Sequence, residues 1–220
     1  MKLLAAIPTR SNWQMLAKLL SDLDEWGIPT VVYDNGHQSP EGRELLETRE
    51  YVVDAVGWPF YRMWNDAWHE ATLAGYDAVA LLNDDITLHP ESLSIAYKRL
   101  MAADDIGIMG LNYLRTVQHG ARPLAKTRFV RGSYREGGIG GHAFLIRTST
   151  WGVVPPIDED YAIWYGDDEL FANMANHGFR LGIAVGAPVD HQASTTLNQH
   201  PELLARTSAD EDRFFRKFGR

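Results

Sequence analysis

The sequence predicts a single α/β domain on a mainly parallel central sheet with helices on both faces. Three observations lead there. Short apolar runs bounded by Pro, Gly or Asn recur along the chain, separated by stretches of helical spacing, and that alternation marks a parallel sheet with covering helices. Several runs are apolar almost throughout rather than at every second position, as strands buried on both faces are. Finally, 220 residues with 45% apolar and 23% charged content suffice for one sizeable core. No internal repeat, low-complexity tract or linker divides them.

The elements follow in order. "KLLAAIPT" is a first buried strand; Pro8 and Arg10 interrupt it too early for the apolar segment of a leader peptide. "WQMLAKLLSDLDEW" puts Leu16, Leu19, Leu20 and Leu23 on one helical face, with Ser11 or Asn12 as its cap and Gly27 at its end. "IPTVVYDNG" is a second strand closed by an Asn-Gly turn signal, and "YVVDAV" a short third. "FYRMWNDAWHEATLAGY" has helical spacing up to Gly75. "AVALLNDDITL" then reads as a strand that stops at Asn83, Asp84 and Asp85 and turns apolar again at Ile86 and Leu88. "PESLSIAYKRLMAAD" is a helix with Pro90 in its first turn, and "IGIMGLNYL" a strand.

Residues 116–140 are polar and glycine-rich and read as a flexible or functional loop. "GHAFLIRTS" returns to strand, "DDELFANMANHGFRL" is a helix ending at His177-Gly178, and "LGIAVGAPVDH" is a last strand. The tail "PELLARTSADEDRFFRKFG" is helical and amphipathic.

Composition removes several classes of function. A net charge of −8 argues against nonspecific nucleic-acid binding, which needs many Lys and Arg to displace phosphate counterions. With no cysteine there are no disulfides, thiolate metal sites or cysteine nucleophiles, which is compatible with the cytoplasm. No run approaches the ~18 apolar residues of a membrane span.

In parallel α/β sheets ligands bind outside the carboxyl ends of the strands. Thr9 and Arg10, Asp34 and Asn35, Asn83 to Asp85, and Asp190 with His191 all follow strands and fall on that edge. Asp84 and Asp85 have two readings. Their oxygens suit Mg²⁺ or Mn²⁺, or they begin a turn and cap the helix after Pro90. The aspartates of "GDDEL" are either helix-terminal charges favoured by the dipole or a general base. His191 is a metal ligand through neutral imidazole or a structural histidine. Arg10 reaches a phosphate or faces solvent. Gly137, Gly138, Gly140 and Gly141 let backbone approach a sugar or phosphate, or form a plain hairpin. Of the tryptophans, Trp164, just before the acidic motif, is the candidate for stacking on a sugar.

Together these stretches resemble the GT-A fold glycosyltransferases, particularly the large family 2 group. "LLNDDITLHPESL" is similar to that family's DxD-type metal-binding segment, with Asn83 in place of its first Asp. "IPTRSN" and "VVYDNG" resemble its first two strands with the nucleotide-pocket turn and a base-contacting Asp, and "MWNDAW" places Asn65 at a frequent family Asn. "GGHAFLIRTSTWGVVPPIDEDYAIWYGDDEL" resembles the acceptor side up to the acidic motif, "VDHQAST" the closing H-x-x-S segment, and "RFFRKFG" the basic-aromatic ending.

The resemblance implies a nucleotide-binding half over about residues 1–115 and an acceptor half over about 116–220. It also implies Thr9, Arg10, Asp34 and Asn65 toward the donor, Asn83 and Asp84 beside the diphosphate, and Asp85 with His191 on a divalent cation. Asp167 is placed as the base, with Asp168 one residue off that position. Gly141 and Trp164 lie along the sugar. The implied reaction is metal-dependent transfer of a hexosyl group from a nucleotide sugar, a UDP-sugar first, to an unidentified acceptor hydroxyl with inversion.

Such a transfer needs a carboxylate to take the acceptor's proton and positive charge on the departing diphosphate. Two rivals remain at this level. A nucleotidyltransferase that makes nucleotide sugars usually carries a glycine-rich basic loop after its first strand, where this chain has "IPTRSN". A non-catalytic sugar- or nucleotide-binding protein of the same fold would not depend on Asp167.

Overall fold

The computed structural model describes residues 1–36, 38–113, 127–130, 138–192 and 206–219. Strand β1 (Leu3–Thr9) leads to α1 (Trp13–Glu25), then β2 (Thr30–Asp34), α2 (Pro40–Glu47), β3 (Val52–Asp54) and α3 (Phe60–Leu73). Next come β4 (Ala78–Leu82), β5 (Ile86–Leu88), α4 (Ser92–Leu100), β6 (Ile106–Tyr113), β7 (Thr127–Val130) and β8 (Ala143–Arg147). The last are α5 (Gly166–Asn176), β9 (Arg180–His191) and α6 (Thr207–Phe218).

The strands form one sheet in the order β3-β2-β1-β4-β8-β6-β9-β5, with β7 also paired to β9. β1 to β4 are parallel, and β6 and β9 are parallel to each other; β8 runs antiparallel between β4 and β6. β5 and β7 oppose β9, so six of the nine described strands share one direction.

Strand geometry explains why both faces are apolar. Side chains alternate between faces. Leu3, Ala5 and Ile7 of β1 and Ala78, Ala80 and Leu82 of β4 join one cluster, with Leu16, Leu20 and Leu23 of α1 and Leu93 and Leu100 of α4. Ala6, Val79 and Leu81 join the other, with Trp64 and Trp68 of α3 and Leu170 and Phe171 of α5. Truncating one of these buried leucines to alanine costs about 2–5 kcal/mol.

Some expectations are corrected. The helix expected with Pro90 in its first turn begins later, at Ser92, because Glu91 adopts a left-handed conformation at φ 68°. Ser92 Oγ then anchors the helix by donating to the Pro188 carbonyl at 2.7 Å. α2 was not anticipated; Ser39 caps it by accepting from Gly42 N, with Pro40 in its first turn. Within the stretch expected as loop, Thr127–Val130 is a strand, while residues 116–126 and 131–137, Gly137 included, lie outside the described residues. So do residues 193–205, which carry the end of the closing segment and the start of the tail. No helix among the described residues is long and apolar enough to cross a membrane.

Candidate active site

The six co-directional strands end on one edge, and the predicted polar clusters gather there. Thr9 and Asp34 are register partners at the ends of β1 and β2. β4 ends at Leu82, and the turn after it carries Asn83, Asp84 and Asp85. His191, at the end of β9, is the register partner of Ile86, immediately after that turn.

The two adjacent aspartates are both buried but do different things. Asp84 Oδ2 accepts from Thr9 Oγ1 at 2.8 Å, its Oδ1 from Asn12 Nδ2 at 3.5 Å, and the Arg10 backbone N–H also bonds it. Burial pushes its pKa up to about 6 against these hydrogen bonds, and the charge of Asp85 adds to the rise. Asn12 occupies the N-cap position of α1 without capping it, because its amide turns to Asp84. Thr9 is 2% exposed and its hydroxyl also accepts from Gln38 Nε2, so it supports Asp84 from inside. Arg10 is half-buried just beyond it.

Asp85 faces the other way. It is 5% exposed, and its Oδ1 stands 3.0 Å from His191 Nε2 yet takes no hydrogen bond. The backbones are joined as well, since Gln192 N donates to the Asp85 carbonyl at 3.0 Å. A buried carboxylate oxygen and a half-buried imidazole nitrogen at this separation fit a divalent cation: adjacent ligands of an octahedral ion at ~2.1 Å stand about 3 Å apart. Among the described residues no three His, Asp or Glu side chains converge to hold an ion alone. That suits a hard cation completed by substrate phosphates and water.

Asp167 lies in the first turn of α5, followed by Asp168 and Glu169. All three gain from the helix dipole, but they diverge in role. A β-carbon at Gly141 would come 2.3 Å from Asp167 Oδ2, so that carboxylate rests against the Gly141 backbone. Glu169 is buried and paired with Lys217 at 3.2 Å. Asp168 is half-buried. Tyr61, packed under Gly166, stays protonated because of its burial first and the nearby charge of Asp167 next.

Two residues that the sequence reading did not single out brace these segments. His142 follows Gly141, and its ring stacks on His191 with centroids 4.3 Å apart and planes 11° apart. Its carbonyl accepts from Asn83 N at 2.9 Å. Asp210 of α6 is 2% exposed and accepts from three consecutive backbone N–H groups, Ala162, Ile163 and Trp164, at 2.9–3.0 Å. It thereby fixes the loop before α5, whose last residue, Tyr165, is left-handed at φ 68°. Its signal was an acidic residue four positions before Phe214 on the apolar stripe of a helix.

The other predicted residues are placed as follows. Asp34 is half-buried at the edge, its Oδ1 accepting from Gly36 N at 2.9 Å. Trp164 is half-buried beside α6. Asn65 is not brought to the cluster. Its amide donates to the Ile157 carbonyl at 2.8 Å and accepts from Ile157 N at 2.9 Å, a clamp between α3 and the segment before α5.

No family model matches the sequence, and no curated protein matches it in sequence. Solved structures do resemble it in fold. GalNAc-T7, solved with UDP, GalNAc and Mn²⁺, has a TM-score of 0.65 at 10% identity, covering 86% of this chain and 43% of its own. The mannosyltransferase PcManGT of Pyrobaculum calidifontis, solved with GDP-Man and Mn²⁺, has a TM-score of 0.65 at 15% identity, covering 96% and 64%. The catalytic domain of Drosophila β1,4-galactosyltransferase 7, in complex with xylobiose, has a TM-score of 0.51 at 15% identity, covering 83% and 64%. The chain therefore has the GT-A fold, and it spans less than two thirds of these structures' own length.

Proposed function

We propose that this chain is a metal-dependent glycosyltransferase that moves a sugar from a nucleoside-diphosphate sugar to an acceptor hydroxyl with inversion. The observation that carries the reading is the placement of two half-sites on one sheet edge, joined by consecutive residues. Asp167 rests against Gly141, and the next residue, His142, stacks on His191, which faces Asp85.

In this reading Asp85 and His191 hold Mn²⁺ or Mg²⁺, and Asp84, braced by Thr9 and Asn12, fixes the turn that presents Asp85. The bound cation supplies Lewis-acid charge to the diphosphate. Asp34 and Arg10 face the nucleotide, and Trp164 and Gly141 the sugar. The donor to test first is a UDP-sugar and second a GDP-sugar, as GalNAc-T7 was solved with UDP and PcManGT with GDP-Man.

The chemistry then belongs to Asp167. Its carboxylate takes the proton of the acceptor hydroxyl as that oxygen bonds to the anomeric carbon and the bond to the diphosphate oxygen breaks. The attack from the opposite side inverts the carbon. Asp168 is the second candidate for that proton.

Asp167→Asn is the test. It removes the proton acceptor with little change in shape, so donor binding should persist while sugar transfer and donor hydrolysis fall by about 10²–10⁴-fold. Undiminished turnover would remove Asp167 from the role.

A further inference from the structure

We infer that His142 is a positioning residue for the metal pair: its ring holds His191 in the one orientation that presents Nε2 to Asp85. The inference rests on the cation site proposed above and assigns a further residue to it.

The His142 ring is wedged. A β-carbon at Gly140 would lie 2.4 Å from its Cε1 and 2.7 Å from its Nδ1, so the imidazole lies directly on that backbone. Its other neighbour is the face of His191, nearly coplanar at 11°. The His142 carbonyl is tied to Asn83 N, and the residue after His191 is tied to the Asp85 carbonyl. The support is therefore anchored to the same turn that carries Asp85. Turning His191 to another rotamer would break the stack and move Nε2 away from Asp85 Oδ1, now 3.0 Å distant.

His142 is not itself placed to share the ion. The lone pairs of imidazole nitrogens lie in the ring plane, and two rings stacked nearly parallel direct them side by side, not toward one point at ~2.1 Å from each. Partners that orient a ligating histidine are commonly worth 10–100-fold in metal affinity.

The test is Mn²⁺ affinity in saturating UDP, read from the electron paramagnetic resonance signal of free Mn²⁺. Wild type, His142→Ala, His142→Phe and Asp85→Ala are compared. We expect His142→Ala to bind Mn²⁺ about tenfold or more weakly, and His142→Phe, which keeps a flat ring, to stay within about threefold of wild type. If His142→Ala does not fold, His142→Leu replaces it, since it fills the space without a planar face.

Unchanged affinity in His142→Ala alongside a loss in Asp85→Ala would overturn the positioning role and leave the metal site standing. A Phe variant as weak as the Ala variant would overturn it in favour of direct action by the ring nitrogens. Wild-type binding that Asp85→Ala leaves intact would sink the proposed metal site, and the inference with it.

Discussion

Asp167 Oδ2 stands so close to the Gly141 backbone that a β-carbon at residue 141 would lie 2.3 Å from it. Asp167 Cγ at 2.8 Å and Cβ at 3.1 Å would be crowded as well, so this short side chain must both turn and shift. Gly141→Ala should therefore fold with a modestly lowered melting temperature and with the Asp167 carboxylate displaced. A misplacement of about 1 Å costs on the order of 100-fold in turnover, to be measured as kcat with donor binding unchanged. Wild-type kcat in this variant would separate Asp167 from the chemistry.

Gly166→Ala is the contrasting case. Its β-carbon would meet the buried Tyr61 ring at 2.4 Å, and that ring is pinned by its hydroxyl donating to the Ile163 carbonyl at 2.9 Å. Overpacking of this kind costs about 1–3 kcal/mol. A lowered melting temperature in chemical and thermal unfolding is expected; an unchanged one would mean that the ring yields.

Asn65 should matter for stability rather than for the donor. Asn65→Ala leaves the N–H and the carbonyl of buried Ile157 without partners, a loss of about 2 kcal/mol. In a chain of this size that lowers the melting temperature by roughly 4–8 °C. Nucleoside diphosphate affinity, measured by calorimetry, should not change; a selective loss of affinity would restore Asn65 to the substrate site.

Docking of α6 carries an acid dependence. Partial burial would raise the pKa of Asp158, but Lys217, the Asp160 backbone N–H and Arg213 outweigh it and hold it at about 2. The folded value lies below the ordinary 3.8, so the contribution is complete above about pH 4 and disappears as the pH falls through about 2. The stability difference between wild type and Asp158→Asn should be constant above that window and shrink within it. A difference independent of pH would show that the charge is not what binds α6.

The alternation of elements was legible because it is written locally: β1 and β4 are apolar on both faces, and α1 has one leucine stripe. Direction was not. Nothing in "AFLIR" distinguishes an antiparallel strand from a parallel one, and β5 is set apart from β4 only by its pairing with β9, a hundred residues later. α2 leaves only a weak trace in the sequence although Ser39-Pro40 is a helix-start signal, since Leu45 and Leu46 alone make little periodicity.

In the site, the strand-end rule named clusters that the fold brings to one edge but could not tell the surroundings of Asp84 from those of Asp85. That difference depends on Thr9 and Asn12, more than seventy residues away. The partner that Asn65 holds in the fold, Ile157, is 92 residues distant and leaves no mark beside it in the sequence. His142 makes packing and backbone contacts that no short motif records, and Asp210 is marked only by its place on the apolar stripe of a helix.

The central claim is that the Asp85–His191 pair holds a cation on which a nucleoside diphosphate completes the coordination. Thermal unfolding with UDP and GDP, each with and without Mn²⁺, tests it most directly, because a ligand that binds only the folded state raises the melting temperature. The account predicts a rise with one of the two nucleotides, enlarged by Mn²⁺ and abolished in Asp85→Ala. A rise equally large without metal, or one that survives Asp85→Ala, would contradict it.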